Sequence, residues 1–449
     1  MRKFQGRNQV DSNWFATRAR RVVAVVAAAG LAAGMVACTS DAAPQEEATG
    51  AFDWKRYDGE SIEVLMNQHP WQVAIEPRIA DFEELTGITV NVTTLPEDQL
   101  RQRVQVELSS QSSAMDVFMS GALAEGRLFA EQGWYEDLTP FVENDSLTSA
   151  DYDYADFAAD VIGAHEIDGQ LIGVPIQIET NMLFYRTDVL EQLGLEAPAT
   201  TDELEAAAKA VTEQTELYGF TARGRGAAST SQLTPYLYGF GAEWNDADGK
   251  AAFASADGIE AFDFYGRMLR EYGPSGSVNN SWQEVLPLFQ QGQLAMFSDA
   301  SVFATQLLDP ELSTVADKVG FAPIPAGPKA NGQAFWGWAL GMSPFSEKKN
   351  AAWLFMQWAT SPEVVAELQE QDGVAGARDS ITGFPATLPQ EWIDAFSASR
   401  AVARSQHPTI AAVPEARDII GNAVIISIEG GDVAEAVTTA AADFDGLTR

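Results

Sequence analysis

The sequence has a single cysteine, Cys38, and only three histidines in 449 residues. A lone cysteine cannot form an intramolecular disulfide, so its position needs another explanation. His69, His165 and His407 lie far apart, and no HExxH motif or His/Cys cluster occurs, so we predict no metal site. A P-loop and the G-x-S-x-G turn of serine hydrolases are also missing. We therefore expect no cofactor.

Basic residues are scarce as well. The 28 lysines and arginines are outnumbered by 64 aspartates and glutamates, which gives a formal charge of −36. Residues 1–37 hold six basic residues and one acidic residue, so the rest of the chain carries −41. Such a charge repels a phosphate backbone, and we do not expect nucleic-acid binding.

Long hydrophobic runs are missing too. The apolar run at residues 22–33 is too short to span a bilayer, but it follows basic residues and leads to small ones, which is the order of a secretory signal. We predict a signal peptide at residues 1–37. The pair Arg20-Arg21 leaves the export route open between general secretion and twin-arginine export.

Cys38 ends the tetrapeptide Met35-Val36-Ala37-Cys38, which resembles a bacterial lipobox. The resemblance implies cleavage after Ala37 and lipidation of Cys38. The alternative is a plain signal peptide with an incidental cysteine. The following residues are small, polar and acidic, so we predict a disordered, lipid-anchored tether at residues 38–57.

The remaining chain of roughly 390 residues exceeds one comfortable core, so two domains are expected. Its first part alternates strand and helix patterns, which predicts a parallel sheet wrapped by helices. Ligands bind beyond the carboxyl ends of such strands. We therefore place residues 67–71, after the first strand, and 120–125, after the third, at a site.

A polar stretch, residues 177–181, separates two short apolar runs at residues 171–178 and 182–185, which we interpret as strands. A helix follows at residues 188–193, with Gly194 as its cap. Buried polar groups are costly unless they are paired. The stretch is therefore either an ordinary loop or a crossover between domains that presents Glu179 to a cleft.

Several motifs carry a family resemblance. They are Asp168-Gly169 with Gly173 and Pro175, the run Phe184-Tyr185-Arg186 with Asp188 and Leu193-Gly194-Leu195, and the stretches 126–138, 291–296 and 319–360. In their order and spacing they resemble the extracellular solute-binding proteins of ABC importers, in the branch with maltodextrin and polyol receptors. A long maltodextrin is not favoured, because the Asp-Arg pair that some maltodextrin receptors have after the third strand is missing.

The resemblance implies an α/β, two-lobe fold like that of periplasmic binding proteins. Each lobe would be a mostly parallel sheet flanked by helices, and multiple hinge crossings would join the lobes. We expect residues 58–176 plus 322–365 in the N-terminal lobe and 177–321 plus 366–449 in the C-terminal lobe.

The implied function is capture of a sugar or sugar alcohol between the lobes and delivery to ABC permease subunits, without catalysis. The protein would be a monomer, lipid-anchored on the outer face of the cell membrane or periplasmic. Two alternatives stay open. One is a receptor for a glycerol phosphodiester or another solute, for which Arg223, Arg225 and Arg378 are available. The other is a lipid-anchored glycoside hydrolase, because carboxylates are abundant.

Sugars and polyols need aromatic faces for their C–H groups, and carboxylates, amides or arginines for their hydroxyls. Glu179 matches a sugar-binding carboxylate of the maltodextrin receptors, and Trp336 and Trp338 alternate onto one face of a strand. The alternative to ligand contact is that both tryptophans pack in the core. The candidate ligand-binding residues are Gln68, His69, Trp71, Glu125, Glu179, Asn181, Tyr236, Asp299, Trp336, Trp338 and Arg378.

The lipid anchor is tested by Cys38→Ser. We expect this substitution to release a soluble protein from the membrane fraction of the native host, because no other anchor is predicted. A substituted protein that stays with the membrane would contradict the lipoprotein assignment.

Overall fold

The computed structural model describes residues 48–448, and strands are distributed along this part of the chain. They are β1 (Ser61–Asn67), β2 (Thr89–Leu95), β3 (Val117–Ser120), β4 (Glu166–Ile167), β5 (Gln170–Leu171), β6 (Val174–Arg186), β7 (Met296–Ala300), β8 (Val319–Pro323), β9 (Ala334–Met342) and β10 (Arg404–Ser405). All but β4 and β5 form one mixed sheet.

Helices fill most of the segments between the strands. They are α1 (Pro70–Ile75), α2 (Ile79–Thr86), α3 (Glu97–Ser109), α4 (Arg127–Glu131), α5 (Thr139–Val142), α6 (Ala159–Gly163), α7 (Thr187–Leu193), α8 (Thr201–Gln214), α9 (Gly226–Gly239), α10 (Ala256–Tyr272), α11 (Trp282–Gln290), α12 (Ala304–Leu308), α13 (Lys349–Ala359), α14 (Pro362–Asp372), α15 (Gln390–Arg400), α16 (Val413–Ile428) and α17 (Val433–Leu447). A π-turn covers Ala122–Gly126. None of these helices is both long and apolar enough to cross a membrane.

The strand order divides the fold into two halves. Strands β2, β1 and β3 are parallel neighbours, as predicted, and with α1–α6, α13 and α14 we call them the first lobe. Strands β7 and β8 with α7–α12 and α15–α17 are the second lobe. The sheet is mixed, because both β7 and β8 run antiparallel to β6. In the second lobe the predicted parallel pairing is limited to isolated bridges, such as Tyr218 with Leu294 and Thr221 with Phe297.

Strand β6 connects the lobes. Its first part, residues 174–180, pairs with β9, and its second part, residues 181–186, pairs with β7 and β8. All thirteen residues are buried. The two short strands predicted for this region are therefore one continuous strand, and of the two interpretations of residues 177–181 the crossover is the one present, made in extended backbone.

One further prediction is corrected. Residues 52–57 belong to the folded body and not to the tether, because Phe52 and Trp54 pack on the first-lobe core. Helix α8 is capped by Thr200, whose hydroxyl accepts from the Glu203 amide. The long helix α16 has no counterpart in the sequence-based prediction. The predicted signal peptide and Cys38 lie outside the described residues.

Residues 374–380, which the sequence predicted in the second lobe, bond to the first. The Ala375 and Ala377 carbonyls accept from the Ile178 and Ala158 amides at 2.9 Å. The Arg378 guanidinium donates to the Tyr152, Asp153 and Thr360 carbonyls. The lobe boundaries drawn from the sequence stay a prediction.

His165 links α6 to the β4–β5 hairpin inside the first lobe. Its Nδ1 bonds to the Val161 carbonyl at 2.8 Å, and its backbone carbonyl accepts from the Ile172 amide. Burial lowers the pKa of His165 to about 4. The unfolded chain therefore binds a proton near pH 6.5 that the folded chain rejects until about pH 4.

We expect His165 to make the protein less stable as the pH falls from about 6.5 to 4. Going from pH 7.5 to pH 5 should cost about 2 kcal/mol at this residue alone. His165→Leu removes that titration, so its unfolding free energy should fall by about 2 kcal/mol less than that of the parent protein. Denaturant unfolding at the two pH values measures this. Equal losses in both proteins would contradict the prediction.

Candidate functional site

A polar cavity of about 40 Å³ lies between the lobes, where β1 ends and β6 crosses. First-lobe loops and α3, the paired strands β6 and β9, and second-lobe helices all contribute to its wall. The lining residues are Asn67, His69, Glu97, Arg101, Glu179, Arg223, Ser231, Gln232, Trp282, Ala300, Phe303, Trp336, Trp338, Gln406, His407 and Arg417. We call it the interlobe cavity.

Glu179 lies at the centre of this wall, in the middle of β6. Its Oε1 accepts from His69 Nε2 at 2.9 Å and from the Gln177 amide. His69 Nδ1 in turn accepts from the Trp71 backbone amide, which leaves the proton on Nε2. Among the described residues no hydrogen bond reaches Glu179 Oε2, so this oxygen can accept from a ligand.

Trp336 and Trp338 form the aromatic part of the wall. In the β6–β9 register they lie opposite Glu179 and Gln177, so all four side chains share one face of the sheet. The two indole rings meet edge to face at 5.7 Å. Gly121 permits this, because a Cβ there would lie 2.4 Å from the Trp336 ring.

Arg101 on α3 is held by two carboxylates of the first lobe. It pairs with Glu97 one turn earlier and with Glu125, which also accepts from the Gly121 amide at 2.7 Å. Its guanidinium lies 5.2 Å from the centre of the Trp338 ring. Burial raises the pKa of Glu97, but Arg101, Arg417 and Arg223 outweigh burial and leave this pKa below its ordinary value.

On the second lobe, Asp299 at the end of β7 holds Arg223 by bonds to Nε at 3.0 and 3.1 Å and to Nη2. Asn181 holds two lining amides: its Nδ2 donates to Gln232 Oε1 at 3.0 Å, and its Oδ1 accepts from Gln406 Nε2 at 2.9 Å. Asp299 and Asn181 therefore orient lining residues and are not themselves part of the wall.

Two buried polar atoms of the wall have no hydrogen-bond partner among the described residues. They are Asn67 Oδ1, whose residue is 2 % exposed, and His407 Nδ1, also on a residue 2 % exposed. Burial and the nearby arginines hold the pKa of His407 well below its ordinary value, so its ring is neutral. Each orphaned atom costs about 1–3 kcal/mol until a partner reaches it.

Arg417 on α16 differs from the other two arginines of the wall. It donates to Thr230 Oγ1 at 3.2 Å and to the Ala227 carbonyl at 3.1 Å. Among the described residues no carboxylate lies within 4 Å of it. Burial and repulsion from Arg101 lower the pKa of Arg417 to about 10, so it is still charged at neutral pH.

The structure thus brings some predicted residues together and leaves others apart. His69, Glu179, Trp336 and Trp338 line the interlobe cavity, and Glu125, Asn181 and Asp299 contact residues that do. Four others are not part of the wall: Gln68 is exposed, and Trp71, Tyr236 and Arg378 are buried elsewhere. Within residues 48–448 no cluster of His, Cys, Asp and Glu could hold a metal.

Sequence reasoning missed several lining residues of the second lobe, namely Ser231, Gln232, Trp282, Gln406, His407 and Arg417. Gln232 and Arg417 lie on helices α9 and α16, neither of which was predicted from the sequence. Gln406 and His407 follow the two-residue strand β10, too short to give a period-2 signal.

Comparisons with known proteins agree with this architecture. The chain is 30% identical over 335 residues to the erythritol/L-threitol-binding protein of Mycolicibacterium smegmatis, covering 71% of this chain and 70% of the relative. It is also 30% identical over 350 residues to the mannitol-binding protein of Pseudomonas aeruginosa, covering 74% and 77%.

Solved structures share the two-lobe fold. An ABC transporter solute-binding protein from Agrobacterium vitis with bound D-mannitol aligns with a TM-score of 0.74 at 28% identity, covering 86% of this chain and 98% of that one. One from Agrobacterium radiobacter in complex with ribitol has a TM-score of 0.78 at 24% identity, covering 87% and 99%. Residues 68–366 match the family described as bacterial extracellular solute-binding protein, and the chain belongs to that family.

Proposed function

We propose that this protein captures a sugar or sugar alcohol in the interlobe cavity and delivers it to the permease of an ABC importer. The observation that carries the proposal is the set of polar atoms in the wall that need a partner. Asn67 Oδ1 and His407 Nδ1 are buried without a partner, and among the described residues no hydrogen bond reaches Glu179 Oε2. A hydroxyl group both donates and accepts, so vicinal hydroxyls can satisfy all three.

Flat aromatic side chains support the same class of ligand. Trp336 and Trp338 face the cavity from β9, and Trp282 stacks on Phe303 at 5.2 Å on the second lobe. Carbohydrate C–H groups pack on such surfaces while the hydroxyls bond to polar side chains. The names and bound ligands of the relatives, erythritol, threitol, mannitol and ribitol, favour a short polyol.

The charges around the cavity favour a neutral ligand. The arginines are Arg101, Arg223 and Arg417, and the four carboxylates that line the cavity or hold these arginines are Glu97, Glu125, Glu179 and Asp299. The near balance offers no net positive field for a phosphate. A glycerol phosphodiester remains the second candidate because of Arg417 alone, which has no carboxylate partner.

Closure of the lobes would follow from the position of the site. Because the wall comes from both lobes, a ligand makes more contacts in the closed form than in the open form, and binding therefore favours closure. The closed protein would then dock on the permease subunits. We further propose that the protein performs no catalysis, acts as a monomer and is anchored outside the cell membrane through lipidated Cys38.

The ligand class is tested by thermal shift with the soluble Cys38→Ser protein. The panel holds tetritols, pentitols, hexitols, mono- and disaccharides, glycerol phosphodiesters and amino acids. A ligand at 100 times its Kd should add roughly 2.7 kcal/mol, which is a shift of a few degrees. Glu179→Gln should weaken the best polyol or sugar on the order of 10- to 100-fold, because a charged acceptor is lost.

Glu107→Gln is the matched control. Glu107 is equally buried but pairs with Arg103 on α3, outside the interlobe cavity, so its loss should leave the Kd unchanged. A response only to phosphodiesters would move the assignment to the second candidate. Release of product from chromogenic glycosides, abolished by Glu179→Gln, would replace the binding protein by a hydrolase.

Closure is tested separately by small-angle X-ray scattering. Saturating ligand should lower the radius of gyration of the Cys38→Ser protein, because the closed form is the one with both sets of contacts. Glu179→Gln at the same ligand concentration, below its own Kd, should keep the larger radius. An unchanged radius at saturation in the parent protein would argue against hinge closure.

A further inference from the structure

A second cavity adjoins the interlobe cavity, and the side chains of Arg101 and Arg417 line both. It has a volume of about 110 Å³, against about 40 Å³ for the polar cavity. Its wall also comes from both lobes: α3 and the π-turn contribute on one side, and the first turn of α16 on the other. A molecule in it would therefore touch both lobes.

The lining of this second cavity is largely apolar. Its apolar residues are Val104, Met119, Ala124, Leu128, Phe129 and Pro414. Of the remaining residues, Gln105 and Glu415 are exposed and mark its opening to solvent. We call it the apolar crevice. Its chemistry differs from that of the interlobe cavity, so the two spaces suit different parts of one molecule.

The two arginines between the spaces are anchored independently. Arg101 is held within the first lobe by Glu97 and Glu125, and Arg417 within the second by Thr230 and Ala227. No hydrogen bond between the two arginines joins them, since both are cations. Because each arginine is fixed to a different lobe, opening of the lobes would separate them. A ligand longer than either space could then lie between the two arginines.

The sizes of the spaces point the same way. A buried water needs about 10–15 Å³ of cavity volume. By this measure the interlobe cavity holds about three or four non-hydrogen atoms, and the apolar crevice holds about seven to eleven. Even a four-carbon alditol has about eight non-hydrogen atoms. The polar space alone is therefore small for the proposed ligands, and the adjoining crevice is the larger one.

We infer that the apolar crevice is a subsite for an apolar substituent on the ligand. This inference rests on the proposed function. The ligand class is a polyol ether or glycoside with an alkyl or aryl group of up to about ten non-hydrogen atoms. The hydroxyls at one end of the ligand bond in the interlobe cavity, its linking oxygen accepts from Arg101 or Arg417, and its substituent lies against Leu128 and Phe129.

The test compares matched ligands by calorimetry on the Cys38→Ser protein. The pairs are D-mannitol with 1-O-butyl-D-mannitol, and methyl with phenyl β-D-glucopyranoside. Each methylene that leaves water should tighten binding about fourfold, the equivalent of ~0.8 kcal/mol. We expect the butyl or phenyl compound to bind at least tenfold more tightly than its partner in one of the two pairs.

Substitutions that fill the apolar crevice should remove this gain. Ala124→Leu fills it from the inside, and Leu128→Trp fills it from the half-buried side near its opening. Either substitution should reduce the ratio of the two Kd values within a pair to below about threefold, because the substituent no longer has space to bind. Leu312→Trp is the control, because Leu312 is 56 % exposed on another surface and its change should keep the ratio.

Each outcome decides the inference. A tighter substituted compound whose advantage disappears in Leu128→Trp but not in Leu312→Trp supports the subsite. Parent compounds that bind without any gain from the substituent overturn the subsite and leave the proposed function in place. Absence of binding by all four compounds overturns the subsite and, together with a silent polyol and sugar panel, the proposed function as well.

Discussion

The site depends on one constraint, the burial of five consecutive polar-rich positions, residues 177–181, in the middle of β6. A strand there must satisfy its side chains without water, because unpaired buried polar groups are costly. Glu179 accepts from Gln177 and from His69 of the first lobe, whereas Asn181 bonds to Gln232 and Gln406 of the second. Because Gln177, Glu179 and Asn181 lie on one face of the strand, their position along it directs Glu179 to a first-lobe partner and Asn181 to second-lobe partners.

The same strand explains how the aromatic wall is placed. The register with β9 sets Glu179 opposite Trp336 and Gln177 opposite Trp338, so the acceptor and the stacking surfaces face the same space. Gly337 between the tryptophans leaves room for the Gln177 carbonyl, which would lie 3.0 Å from a Cβ. Polar and aromatic recognition are therefore fixed by one pair of strands.

Part of the candidate site could be predicted from the sequence, because the local pattern determines where some of its side chains point. Trp336 and Trp338 alternate on a strand, and His69 and Glu179 follow or interrupt apolar runs. The continuous strand β6 could not be predicted, because its polar residues break the local pattern and only distant partners such as Gln406 satisfy them. Arg378 looked like a site residue in a glycine-rich loop, but three carbonyls, those of Tyr152, Asp153 and Thr360, hold it inside the first lobe.

The charged residues show why the lobes need a third component between them. Arg101 and Arg223 each have a carboxylate from their own lobe, so neither provides a strong ion pair across the cavity. Arg417 has hydrogen bonds only within the second lobe, and its nearest charged neighbours include Arg101, which repels it. Glu97 and Glu125 of the first lobe attract Arg417, so attraction and repulsion across the cavity partly cancel. A ligand with several hydroxyls would supply acceptors to the arginines and donors to Glu179 and Asn67 at once, and the proposed closure would follow from these contacts.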